Sequence, residues 1–197
     1  MQKRRYSLLL FIGILLLVLA CGRKQNAERD AQLVQMLTQF FTVRTAVGSA
    51  DGLWLAQKDS VAAMIEKKFL ANYQAKPDEM KKDEIRQRLQ NLVVYYRIEG
   101  RQFTMLTQVA DSVGVNVGTL RLRPSGRKGE QVYDARVRGK DGEISATLRY
   151  INSASTERLE YTEGDYTVAA ERELRPVAVL VQEFRERMQQ VTGLPQY

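Results

Sequence analysis

The pattern of apolar residues changes period once, near position 93, and that change constrains the fold more than any other feature of the chain. Before it, apolar residues recur every three or four positions; after it, they alternate. Three- and four-residue spacing puts side chains on one helix face, whereas alternation puts them on one face of a strand. Val94, Tyr96 and Ile98 alternate with polar positions, Gly100 turns the chain, and Phe103, Met105 and Thr107 continue the alternation. Further strands are predicted at Gly118–Arg123, Val132–Val137, Ile144–Tyr150, Arg158–Thr162 and Tyr166–Ala170. Turn-forming clusters separate them: Pro124-Ser125-Gly126, Lys140-Asp141-Gly142 and Glu163-Gly164-Asp165. Short strands in succession with tight turns describe an antiparallel meander, because parallel neighbours need long crossover connections.

Helices flank the meander. Leu33, Val34, Leu37, Phe40, Phe41 and Val47 trace one apolar face from Ala31, stopped by Gly48 and Asp51-Gly52. A second helix follows Asp59 or Ser60 as cap, with Val61, Met64, Ile65, Phe69 and Tyr73 inward. A third opens at Pro77-Asp78-Glu79 and carries Ile85, Leu89, Leu92 and Val93. After Pro176, a last helix aligns Val177, Leu180, Val181, Phe184, Met188 and Val191 through to Gly193. The expectation is an α+β fold: N-terminal helices, an antiparallel meander forming a curved sheet or partial barrel, and a C-terminal amphipathic helix.

The first 21 residues read differently. Three basic residues, Lys3, Arg4 and Arg5, precede an apolar run of 13, LLLFIGILLLVLA, and then Cys21. A helix of that length rises roughly 20 Å, short of the ~30 Å hydrocarbon core, so a secretory signal is favoured over a permanent span. Val18-Leu19-Ala20-Cys21 resembles the lipobox of bacterial lipoproteins, with Leu19 bulkier than the usual residue at its place. The resemblance implies cleavage between Ala20 and Cys21, a thioether-linked diacylglycerol on Cys21, and acylation of the new amino group. Several acyl chains at ~0.8 kcal/mol per buried methylene make a lasting anchor where one does not. Gly22, where an Asp would mark inner-membrane retention, favours the outer membrane of the cell envelope. The expected organisation is a signal peptide over 1–20, a lipidated tether over 21–30 and one α+β domain over 31–193.

Composition removes several function classes. The chain has no His and one Cys, so neither Ser-His-Asp nor Cys-His catalysis, nor a His- or Cys-rich zinc site, nor an internal disulfide can be built. The formal charge of +7 falls to +4, 27 basic against 23 acidic residues, once the leader is removed. Basic and acidic residues are interleaved, unlike the basic stripe of a nucleic-acid binder, and no nucleic-acid partner is expected.

Candidate chemistry is sparse. Glu163 and Asp165 flank Gly164 and could be read as an acid/base pair, although acids around a glycine are ordinary turn chemistry. Asp83 and Glu84 read as a solvated helix face. Gly114 and Gly118, in DSVGVNVGTL, lack the spacing of a phosphate-binding loop and read as a bend or bulge between strands. Trp54 reads as a core anchor at a helix entrance, and Tyr95, Tyr96, Tyr133, Tyr150, Tyr161 and Tyr166 as sheet residues. The best surface feature is the basic cluster Arg121, Arg123, Arg127 and Lys128, with Arg136 and Arg138 nearby, which could face anionic headgroups.

Tyr96-Arg97-Ile98-Glu99-Gly100-Arg101-Gln102-Phe103-Thr104-Met105, Gly118-Thr119-Leu120 and Leu159-Glu160-Tyr161 resemble the lipocalin-like β domains of many bacterial lipoproteins. The long C-terminal helix departs from that pattern, and the cone-shaped NTF2-like fold is the rival topology. The expected function is a membrane-anchored envelope binding or interaction module. It has no cofactor, and its partners are the membrane through Cys21 and an envelope protein or small apolar ligand. A structural assembly role is the alternative, and a His-independent hydrolase is the third. A ligand binder predicts a cavity lined by Tyr, Phe and Met; an interaction or structural protein predicts a filled interior with an exposed apolar patch.

Overall fold

The computed structural model describes residues 28–192, except 47, 73–82, 84, 85, 88, 110, 111, 140 and 141. The signal segment, Ala20, Cys21 and the tether lie outside the described residues, as do Val47, Tyr73, Pro77-Asp78-Glu79, Glu84 and Ile85. By its internal contacts the chain divides into two units, Met1–Phe40 and Phe41–Tyr197. The described part of the first unit is helical; helix α1 covers residues 28–41.

The second unit is built on eight strands: β1 Gly52–Ala56, β2 Val93–Glu99, β3 Gln102–Val109, β4 Ser112–Arg123, β5 Glu130–Gly139, β6 Gly142–Ser153, β7 Thr156–Glu163 and β8 Tyr166–Arg172. Each pairs antiparallel with its neighbours in sequence, and β1 pairs with β8, so the sheet closes into a barrel. Helix α2, Lys58–Asn72, separates β1 from β2, and helix α3, Val177–Thr192, follows β8. Asp83, Arg86, Gln87 and Leu89 are helical in the sparsely described stretch before β2.

Closure corrects the expected curved sheet or partial barrel. The strand that completes the ring was hidden in the segment read as a helix entrance: Trp54 pairs with Tyr96 of β2 and Arg172 of β8. Five residues with no polar alternation carry no period-2 signal, and three of the first four are leucine or tryptophan. Val93, assigned to a helix face, is instead the first residue of β2. Pro176 precedes the first helical residue rather than occupying it, and its carbonyl accepts from Val179 and Leu180.

Alternation sorts the two faces of the barrel. Trp54, Tyr96, Ile98, Phe103, Leu120, Val137, Leu148, Leu159, Tyr161 and Val168 belong to one buried core cluster. An eight-stranded barrel has an interior just wide enough for side chains to fill. Tyr96 and Tyr161 stack at 5.4 Å between ring centroids, Phe103 lies 6.1 Å from Tyr161 at 9°, and Trp54 meets Tyr150 edge-on at 5.8 Å. One mouth is covered: Val61 joins the interior cluster, with Met64 and Ile65 of α2 packed against it, and Leu89 and Leu92 belong to it also.

A second apolar layer forms outside the barrel. Tyr95 and Leu106, cross-strand partners on the outward side of β2 and β3, are buried, as are Leu180, Val181 and Phe184 of α3. Phe41 joins the two sets, 5.1 Å from Tyr95 and 6.4 Å from Phe184. Arg175 fastens the entry to α3, its Nη1 donating to both Glu183 oxygens at 2.9 and 2.8 Å and its Nε to Glu173 at 2.9 Å. On the same side of β3 the amide of Gln108 is fully buried and finds no hydrogen-bond partner among the described residues, which costs about 1–3 kcal/mol.

Gly114 and Gly118 are not at a bend or bulge. Both lie within β4 in unbroken register, Gly114 opposite Thr107 and Gly118 opposite Phe103. Gly118 serves close approach: a Cβ there would stand 2.6 Å from the Arg136 carbonyl oxygen. Gly118→Ala is therefore expected to destabilise the protein by about 1–3 kcal/mol, as overpacking against backbone does. Urea unfolding checks this; an unchanged midpoint would show that β4 and β5 can separate freely there.

Candidate functional site

The interior is packed by the protein's own side chains. Its polar groups are tied to the protein's own structure. At the mouth covered by α2, the Tyr161 hydroxyl donates to Glu163 at 3.1 Å, and Glu163 also pairs with Lys68 of α2. Burial pushes the Tyr96 and Tyr161 phenols well above the usual tyrosine range, so both stay neutral. The suggested acid/base pair therefore separates: Glu163 fastens α2 to the barrel, while Asp165 sits in the turn where Gly164 adopts φ 57°.

At the opposite mouth the guanidinium of Arg172 lies over the Trp54 ring, 4.3 Å from its centroid. It donates to Glu157 at 2.6 and 2.9 Å, to the Asp51 carbonyl at 2.8 Å and to the Ser49 carbonyl at 2.7 Å. Tyr150 donates its hydroxyl to the same Glu157 oxygen at 2.9 Å. Hydrogen bonds from Arg172 hold the Glu157 carboxyl below the ordinary carboxylate range. Every member of this group is satisfied by another, so it closes the mouth rather than offering a reactive group. Asp83 pairs with Arg86 at 3.2 Å on an exposed face, as a solvated surface would.

Surface geometry brings out the basic cluster. A cavity of about 640 Å³ lies over the outward side of β4, β5 and β6 and reaches β7. Its lining includes Thr119, Arg121, Asp134, Arg136, Ser145, Thr147 and Thr162. Register places these side chains in two rows: Thr119, Arg136 and Ser145 in one, and Arg121, Asp134, Thr147 and Thr162 in the other. Arg123 pairs with Asp134, Arg136 lies 4.0 Å from Glu143, and Arg127 lies 4.0 Å from Glu130. The cluster is thus split. Arg121 and Arg136 enter the groove, and Arg127 and Lys128 belong to the β4–β5 turn region instead.

A smaller cavity of about 330 Å³ is lined by Leu55, Val93, Tyr95, Lys58, Glu171 and Arg187 among others. It has the tyrosine but neither the Phe nor the Met expected of an apolar ligand site. No family model, curated protein or solved structure matches the chain. The geometry must therefore be read on its own terms. Among the described residues no three carboxylate or thiol groups converge as metal ligands, and no helix is long and apolar enough to cross a membrane. On β4 and β5 the outward side carries Arg121, Asp134, Arg136 and Arg138 beside exposed Val115 and Val117, while the inward side is apolar and buried.

The threonine and serine hydroxyls of the groove are the residues that sequence reasoning missed. Alternation alone could have placed Thr119, Ser145 and Thr147 on the outward side of their strands. Only the register between strands shows that they flank the arginines.

Proposed function

We propose that this protein is a lipid-anchored module of the bacterial cell envelope, held to the membrane through Cys21 and engaging its partner with the outside of its barrel. The single observation behind the second half is the contrast between a barrel filled by its own side chains and a 640 Å³ groove on its outer face. The described inward side chains are buried against one another, which favours binding on the surface over a ligand held inside. The groove on β4–β7, with its arginine and hydroxyl rows, is the surface engaged. The closed eight-stranded meander supports the lipocalin-like resemblance in architecture.

The anchor rests on the lipobox and on Cys21 being the only cysteine. Expressed in a lipoprotein-processing bacterium, the wild type is expected in the membrane fraction, lacking residues 1–20 and carrying acyl mass. Cys21→Ser is expected to lose that product. An uncleaved wild type, or a cleaved one without lipid, would remove the anchor. The surface is tested by a photo-crosslinking residue at Thr147 in the groove, with Thr104 on β3 as the control. Crosslinks to an envelope component are expected from Thr147 and not from Thr104; equal yields would refute the groove as the engaged face.

A further inference from the structure

The chemistry of the groove names a class of ligand, an inference that rests on the groove being the engaged face. We propose that it binds a phosphorylated saccharide, with Arg121 and Arg136 taking the phosphoryl group and Thr119, Ser145 and Thr147 hydrogen-bonding the sugar.

Register supplies the first argument. Arg121 stands opposite Asp134 and Thr119 opposite Arg136, so the two arginines are diagonal neighbours on one sheet face. Diagonal neighbours lie about 7–8 Å apart, with their Cβ atoms somewhat closer, within the span that two arginine side chains can close on one group. The fork of a guanidinium matches phosphate oxygens, and two forks match the charge of a phosphate monoester better than that of a single carboxylate.

Charge supplies the second. Asp134 would oppose an anion in the groove, but Arg123 already pairs with it from the next outward position of β4. Arg121 has no ion pair among the described residues, and Arg136 only a 4.0 Å approach to Glu143, with both side chains largely exposed. A solvent-exposed pair at that distance holds an arginine weakly, leaving it free to turn toward a stronger partner.

The hydroxyls supply the third. Thr119 and Ser145 flank Arg136 across the strands, and Thr147 flanks Asp134. Short hydroxyl side chains beside long arginines make a floor with taller cationic walls, in a volume of about 640 Å³ that suits a small polar molecule. Among the described residues no aromatic side chain lines the groove, which separates it from the stacking platforms that bind single-stranded nucleic acid.

The phosphoryl group could belong to a free sugar phosphate or to the headgroup of a membrane glycolipid, and the test separates the two. The full chain, purified in detergent, is titrated calorimetrically with glucosamine 1-phosphate, glucosamine and inorganic phosphate. It is then titrated against mixed micelles doped with a phosphorylated glucosamine lipid. Saturable binding of glucosamine 1-phosphate, absent with glucosamine and at least tenfold weaker with inorganic phosphate, is expected if the source is free sugar; binding confined to the doped micelles assigns the headgroup.

In either arm the Arg121→Gln/Arg136→Gln double variant is expected to bind at least tenfold more weakly, and Thr147→Val severalfold more weakly. Both are checked for an unchanged melting temperature, Arg121 and Arg136 being exposed and Thr147 half-buried at the surface. No binding in either arm, equal binding of inorganic phosphate, or full binding by the double variant would overturn the proposal. Crosslinking from Thr147 that survives such a result would still leave the groove as an interaction face for another partner.

Discussion

Replacing Trp54 with alanine is expected to lower the melting temperature by about 10 °C or more. The side chain is fully buried at the seam where β1 joins β2 to β8. Its Nε1 donates to the Ala50 carbonyl at 2.9 Å, its ring meets Tyr150 edge-on, and its other face carries the Arg172 guanidinium. Truncating a buried tryptophan costs about 3–5 kcal/mol, and each kcal/mol is worth about 2–4 °C in a domain of this size. The cost should sit at the upper end, because β1 is held to β8 over only three residue pairs and Trp54 is in one of them. Trp54→Phe is expected to recover roughly half, keeping most ring packing while losing the indole hydrogen bond. Thermal unfolding followed by circular dichroism checks both. A Trp54→Ala protein melting within 2–3 °C of wild type would mean that barrel closure does not depend on this seam.

Arg172→Met is the second large effect, expected at about 2–4 kcal/mol from two part-buried carbonyls left without a donor and a Glu157 carboxylate that loses its cation. The substitution keeps much of the buried stem but removes the cation that Glu157 and two carbonyls share. The loss is dominated by partners left without a donor, the part-buried Asp51 and Ser49 carbonyls above all, since Glu157 is about a third exposed. Glu157→Gln should cost less, about 1–2 kcal/mol, because Arg172 keeps both carbonyls and Tyr150 keeps an acceptor.

The pH dependence follows from the direction of the Glu157 shift. Its folded pKa lies below the unfolded value of about 4.3, so the folded state holds the proton less tightly. The stabilisation is therefore fully present above the unfolded value and is lost as pH falls through the folded one. The stability gap between wild type and Arg172→Met should be widest near neutral pH and should narrow below pH 4. Chemical unfolding at pH 7 and pH 3 measures it. A gap of the same size at both values would uncouple Glu157 from Arg172.

Much of the barrel was legible because alternation is a local property. Val94-Tyr96-Ile98 and Phe103-Met105 each carry their own inward face, and Pro124-Ser125-Gly126 and Glu163-Gly164-Asp165 mark turns by the residues they contain. The same locality explains the failures. β1 is short and nearly all apolar, so nothing in Gly52–Ala56 distinguishes a strand from the start of a helix. Gly114 and Gly118 looked like punctuation because glycine weakens a strand; the partner backbone of β5 is what makes Gly118 necessary.

The groove shows the same division. The arginines were visible as a cluster, but sequence proximity joined Arg127 and Lys128 to Arg121 and Arg123 and left out Thr119, Ser145 and Thr147. Register, a relation between strands, chose Arg121 and Arg136 instead and gave them hydroxyl neighbours. By itself the sequence determined the periods, the turns, the absence of histidine chemistry and the lipobox-like run Val18-Leu19-Ala20-Cys21. The tertiary structure decided that β1 closes the ring, that aromatic side chains fill it, and that a polar groove of about 640 Å³ faces outward. The reason is physical: periodicity and turn chemistry act between residues near in the chain, whereas closure, interior volume and cross-strand rows exist only once distant segments are held side by side.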